Sequence, residues 1–148
     1  MKIRPMRLQD LTNVLEIEHE VFAEPWSRLS FEAELEKDYA RCAVLQIGTS
    51  VVGFTICWEI VDELHIANVA VSPSHQRKGL AETLVCDALK RAAHCAVAVL
   101  EVRRSNHAAR ALYVKLGFKE TGVRKNYYAS EGEDAILMEL PLPFVGNV

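Results

Sequence analysis

The 148-residue chain has no long apolar run, no basic tract and few turn-forming residues. Seven glycines and five prolines exclude collagen-like and low-complexity architectures. No apolar stretch approaches the roughly 20 residues that cross a bilayer, so no membrane partner is expected. The start, Met1-Lys2-Ile3-Arg4-Pro5, has no apolar h-region, so it does not read as a secretory signal peptide. No basic run exceeds two residues, as in Arg103-Arg104; the net charge is −3 and the isoelectric point about 6.0. Sequence-independent binding of DNA or RNA needs a basic face, so nucleic acid is not an expected partner. An acidic protein can instead favour a basic peptide. The four cysteines, Cys42, Cys57, Cys86 and Cys95, form no CxxC pair, and no histidines have zinc-ligand spacing. Three of them sit in apolar stretches, where a thiol packs as a small hydrophobe. This pattern predicts a reducing, cytosolic compartment and implies no metal.

What is present is globular material, 50% hydrophobic and 25% charged, of a length that fits one domain over residues 1–148. Residues 2–7 read as a strand that Pro5 confines to an edge or ends early. Asp10 is placed to cap a helix in which Leu11, Val14, Leu15, Val21 and Phe22 form an apolar stripe, broken only by Glu18. Pro25 interrupts residues 23–29, and Ser30 is expected to cap a second helix, with Glu32, Glu34 and Glu36 beyond it. Residues 42–47, 51–60 and 64–71 read as three strands joined by short turns, an antiparallel meander. A polar stretch over 72–78 leads into an amphipathic helix carrying Leu80, Leu84, Ala88 and Ala92. Residues 96–103 form a strand with one inserted carboxylate, paired in parallel across that helix. Asn106 caps a fourth helix that Gly117 ends. Two strands near 118–128 and 135–140 flank a turn at Ser130-Glu131-Gly132. The fold class is α/β, with a central mixed sheet flanked by helices.

Strand 64–71, its glycine-bearing loop and the helix start read as a candidate anion site. The first amides of a helix lack intrahelical partners, and the dipole adds partial positive charge. Gly79 lets a ligand approach the backbone, and Arg77 and Lys78 add cations. A plain helix start behind a solvated basic turn would have the same spacing.

Gln76-Arg77-Lys78-Gly79-Leu80-Ala81 resembles the acetyl-CoA signature Q/R-x-x-G-x-G/A of the GNAT acyltransferase superfamily, and the order of elements is similar along nearly the whole chain. Leu100-Glu101-Val102-Arg103-Arg104-Ser105-Asn106, followed by Ala111-Leu112-Tyr113 and Gly117-Phe118, resembles L-E-V-R-x-S-N…A-L-Y-x-x-x-G-F. Arg124-Lys125-Asn126-Tyr127-Tyr128, Asp134-Ala135-Ile136-Leu137-Met138 and Pro25-Trp26-Ser27 resemble further motifs of protein N-terminal acetyltransferases. Within these the resemblance is greatest to the bacterial RimI type, which acetylates the N-terminal alanine of a small-subunit ribosomal protein, number eighteen.

The resemblance implies parallel strands splayed around acetyl-CoA as cosubstrate. It makes Glu101 the proton acceptor and Tyr113 the proton donor. It implies cofactor contacts from Val69, Ala70, Val71, Arg77, Lys78, Gly79, Leu80, Ala81, Glu82 and Asn106.

The chemistry agrees. An α-amine of pKa about 8 must lose a proton before or as it attacks a thioester. A carboxylate in an apolar strand is expected to be desolvated and so a better base, directly or through a water. The alternative is a structural pairing, for instance with Arg103. A phenol can protonate the departing thiolate, although a tyrosine in an amphipathic stripe is more often core. A backbone N–H near Val71 is the candidate oxyanion donor. Trp26, Tyr127 and Tyr128 either line the peptide side or pack as ordinary aromatics. Glu24, Glu59, Asp62, Glu63 and Asp134 either form an acidic entrance or a solvated face. Two rival readings are a GNAT acting on lysine or a small amine, and a non-catalytic acetyl-CoA sensor or assembly subunit.

Overall fold

The computed structural model describes residues 1–128 and 132–145, with the backbone alone for Tyr128. The expected turn at Ser130 and Glu131 and the side chain of Tyr128 lie outside the described residues. The elements run β1 (Lys2–Pro5), a 3-10 turn (Leu8–Asp10), α1 (Leu11–Val21), α2 (Arg28–Glu36), β2 (Ala40–Ile47), β3 (Ser50–Ile60) and β4 (Glu63–Val71). After a 3-10 turn (Pro73–His75) come α3 (Leu80–Arg91), β5 (Val97–Arg103), α4 (His107–Leu116), β6 (Lys119–Tyr128) and β7 (Glu133–Pro141). None of the described helices is long and apolar enough to cross a membrane.

The seven strands form one sheet in the order β1-β2-β3-β4-β5-β7-β6. The first four are an antiparallel meander, and β4 and β5 run parallel. Pro5 ends β1 at the sheet edge, where a residue without an N–H removes no ladder bond. One face is covered by α1 and α2, with Leu11, Val14, Ile17 and Phe31 packed on Val44, Phe54, Ile56 and Ala70. On the other, Val85 and Leu89 of α3 and Tyr113 of α4 pack on Leu64, Ile66, Leu100, Val102 and Met138.

A bulge in β4 organises the middle of the sheet. Cys57 pairs with Ile66 but Ile56 pairs with Asn68, so Ala67 is an extra residue. A bulge shifts the two-residue alternation by one. Leu64 and Ile66 therefore face α3, whereas Asn68 and Ala70 face α1.

Two expected caps are corrected. The second helix is capped by Ser27, whose Oγ accepts the N–H of Ser30 at 3.1 Å; Ser30 is inside the helix. Asp10 sits at the start of α1, but its carboxylate accepts two bonds from Arg4 (2.8 and 2.9 Å) and the N–H of Arg7 instead of capping the helix. Glu34, within that helix, is buried, accepting Trp58 Nε1 at 3.1 Å and pairing with Lys37 at 3.0 Å. All four cysteines are free, with Cys57 and Cys95 buried.

Candidate active site

Parallel pairing of β4 with β5 runs from Glu63↔Val97 to Ile66↔Leu100 and stops at the bulge. Beyond it β4 keeps β3 on one edge and β5 keeps β7 on its other edge. The result is a wedge-shaped gap between residues 67–71 and 101–103. Ser72 N–H donates to Val52 O at 2.7 Å. Antiparallel alternation then turns the backbone groups of Asn68 and Ala70 toward β3 and those of Val69 and Val71 into the gap. Gln76 Nε2 donates to Val71 O at 3.1 Å, which leaves the Val71 N–H as the open donor there.

The loop after β4 brings the N-terminus of α3 to the same gap. Gly79 is the N-cap residue, with φ +74°, and Arg77 has φ +65°. The first intrahelical bond is Thr83 N–H to Gly79 O at 3.1 Å, so the amides of Leu80, Ala81 and Glu82 point outward. Nothing lies within 4 Å of where a Cβ on Gly79 would stand. Glycine is required here by its backbone angle, and the space in front of it is open to a phosphate.

Glu101 lies between buried Leu100 and Val102 and faces the opposite way, toward the α1 side. The expected desolvation is not found: its side chain is 30% exposed and pairs with Arg124 Nη2 at 3.1 Å. The apolar neighbours that suggested burial belong to the other face of the strand. Its arginine partner is Arg124 of β6, while Arg103 pairs with Glu133. The Arg124 guanidinium also covers the Tyr127 ring at 4.9 Å. A register shift between Arg124 and Tyr128, with Asn126 at φ +50° and its N–H on Asp134 Oδ1 (3.0 Å), shapes this part of β6.

Tyr113 comes from the other face. Its ring is buried against Phe118, with centroids 5.5 Å apart, and burial pushes its phenol up to about 12. Among the described residues no fully buried polar side-chain atom lacks a partner.

The Acetyltransferase (GNAT) family profile matches residues 11–118. The chain belongs to this family. It is 38% identical to the [Ribosomal protein bS18]-alanine N-acetyltransferase of Escherichia coli K12, over 95% of this chain and 97% of that protein. It is 34% identical to an N-alpha-acetyltransferase of Saccharolobus solfataricus, over 95% and 92%. The crystal structure of the ribosomal-protein-S18-alanine N-acetyltransferase from Escherichia coli superposes with a TM-score of 0.89 at 35% identity, covering 99% of this chain and 96% of that one.

Several residues that the GNAT motifs single out offer only their backbone. Leu80 and Val71 pack their side chains together with Leu84, whereas Ala70 packs under α1 and turns its backbone to β3, so neither its side chain nor its backbone faces the gap. The Glu82 carboxylate pairs with Lys115 at 3.1 Å, joining α3 to α4. Asn106 Oδ1 caps α4 by accepting Ala109 N–H at 3.2 Å. Trp26 is half-buried, 5.3 Å from Phe31, on the Glu101 side of the sheet. Glu59, Asp62 and Glu63 are at the paired end of β4, four or more residues before the gap, so they do not form its entrance. There Glu59, His94 and Cys95 bring donor atoms within 4.8 Å of one another. His94 Nε2 lies 2.9 Å from Glu59, which also pairs with Arg41. Two polar groups on this side of the sheet are not singled out by their spacing in the sequence, Arg124 paired with Glu101 and the buried Glu18. Arg124 stood inside the quoted R-x-N-Y-Y motif, and Glu18 was the one polar break in the stripe of α1.

Proposed function

We infer that this GNAT enzyme transfers the acetyl group of acetyl-CoA to the α-amine of the N-terminal alanine of ribosomal protein bS18, in the cytoplasm. The alanine and bS18 come from relatives that match nearly the full chain. For the chemistry, what supports the reading is that Glu101 stands on β5 just past its last pair with β4, on the face opposite to the cluster that holds Tyr113.

The backbone groups of Val69 and Val71 would pair with the extended amide arm of acetyl-CoA, as a missing strand would. The outward amides at the start of α3, with Arg77 and Lys78, would hold its phosphates. The peptide would enter on the α1 side, by Trp26 and Tyr127. Glu101 accepts the amine proton, directly or through a water, displacing Arg124 from one oxygen as it does so. The amine nitrogen then bonds to the thioester carbon, and the Val71 N–H faces the oxygen that gains charge. Glu101 passes the first proton to solvent and takes the second from the nitrogen, which became positively charged on bonding; as the C–S bond breaks, Tyr113 donates its hydroxyl proton to the thiolate and recovers one from solvent. No acyl-enzyme is needed, because the amine attacks the donor directly.

The test is a panel of short basic peptides with acetyl-CoA, read by mass spectrometry. Peptides beginning with alanine should be acetylated at the α-amine, and the same peptides with a blocked α-amine should not react. Acetylation confined to internal lysines or small amines would overturn this reading. Thermal stabilisation by acetyl-CoA with no turnover on any peptide would point to a binding protein.

A further inference from the structure

Glu18 is 1% exposed, deep under α1. Its two oxygens have different partners: Oε2 accepts the backbone N–H of Trp26 and Oε1 accepts Asn68 Nδ2, each at 2.9 Å. A buried carboxylate is a poor source of stability, since a well-packed apolar residue at such a position is often neutral or better. The neighbouring Leu11, Val14 and Ile17 show that α1 packs by apolar contact. What Glu18 adds is a connection between two parts of the site. Trp26 belongs to the segment between α1 and α2, which has no ladder or helix of its own to hold it. Asn68 is the first residue after the bulge at Ala67, where β4 parts from β5, and it adjoins Val69.

We propose that Glu18 is a positioning residue: through Trp26 and Asn68 it fixes the α1–α2 segment to the splayed half of β4, and so sets where the incoming N-terminus lies relative to the acyl donor. This rests on the α-amine reading above. Glu18 takes no part in the proton transfers; it determines how well the peptide is placed. Without it the segment loses its register on β4, while α3 and its phosphate-facing amides are untouched.

Two substitutions separate the possibilities. Glu18→Gln can keep both bonds, because its Oε1 can accept Trp26 N–H while its Nε2 donates to Asn68 Oδ1 once that amide turns over. Glu18→Met keeps the volume and loses both acceptors. In Glu18→Met the KM for an alanine-initiated peptide should rise about tenfold, roughly the worth of one net hydrogen bond. Acetyl-CoA affinity should stay within about twofold, and the Trp26 amide should exchange faster with solvent. Glu18→Gln should restore all three to near wild type. If Glu18→Met does not fold, Asn68→Ala should raise the peptide KM in the same direction, by less.

A Glu18→Met enzyme with a shifted melting temperature but unchanged peptide KM would make Glu18 merely structural and overturn the proposal. Equal collapse of kcat in the Gln and Met variants would overturn it in favour of a proton-transfer role. If the wild type acetylates no α-amine, the functional reading fails instead. The connection is then judged by Trp26 amide exchange, and equal protection in wild type and Glu18→Met would overturn it.

Discussion

Glu101 and Tyr113 occupy different surroundings on opposite faces of the sheet, and substitutions that test their proposed proton transfers should differ accordingly. Glu101 is partly open and held by Arg124, whereas Tyr113 is buried with its phenol pushed up to about 12, so it keeps its proton throughout the working range. Glu101→Gln cannot accept a proton and should lower kcat/KM by about 10²–10⁴. That loss should shrink toward high pH, where solvent has already deprotonated the α-amine. Tyr113→Phe should cost less, because a thiolate is already a fair leaving group, and its cost should not shrink as the amine deprotonates. Arg124→Met should cost less than Glu101→Gln, because the acceptor remains and only its orientation is lost. Profiles of kcat/KM against pH for wild type and the three variants check all of this. Equal, pH-independent losses at Glu101 and Tyr113 would reduce both to packing or positioning groups.

At the scale of the element, two helix starts decide different things. Ser27 caps α2 with its side chain, so Ser27→Ala should cost about 1 kcal/mol in urea unfolding, and Ser30→Ala much less. Gly79 starts α3 with φ +74°, an angle that a β-branched residue adopts only with strain. Gly79→Val should therefore weaken acetyl-CoA binding in calorimetry while the folded enzyme survives; unchanged affinity would remove the loop from the phosphate site. Most elements were legible because their apolar periods are regular and Pro5, Gly48, Gly79 and Gly117 punctuate them. The turn before α3 was legible because Gly79 marks it within the six residues Gln76 to Ala81. Ser27 and Ser30 are both competent caps, and only the helix start in three dimensions chooses between them. The bulge at Ala67 has no marker in Leu64-His65-Ile66-Ala67-Asn68-Val69-Ala70-Val71, since an extra strand residue is defined by its partner strand. The same holds for Glu18 and Glu101. Their partners lie 50 and 23 residues away, at Asn68 and Arg124, and spacing along the chain does not report such contacts.

Across the whole molecule, burial of neutral thiols and a phenol sets an alkaline limit. Burial raises Cys57 to about 12, Cys42 to about 11 and Tyr113 to about 12, each above its value in an unfolded chain. Raised folded-state values contribute stability that is fully present below the unfolded values and lost as pH rises through the folded ones. Stability should thus hold up to about pH 8.5 and fall toward about pH 12, each group contributing roughly 1.4 kcal/mol per pH unit while only the unfolded chain releases its proton. Denaturant midpoints across that range check this, and Cys57→Ala should flatten the alkaline slope even though it lowers stability at neutral pH. On the acid side Asp10 acts with the opposite sign. The bonds from Arg4 hold its carboxyl below the usual range, so its contribution is lost as pH falls.

The proposed reaction brings an amine from one face of the sheet and a proton donor from the other to the gap between β4 and β5, and its proposed substrate is a protein N-terminus. The most direct test is to incubate bS18 bearing a free N-terminal alanine with the enzyme and acetyl-CoA, then locate the acetyl group by fragment mass spectrometry. One acetyl group on the α-amine of the alanine, absent with Glu101→Gln at neutral pH, is the predicted result. Acetyl groups on lysine side chains, or α-amine acetylation undiminished in Glu101→Gln, would contradict it.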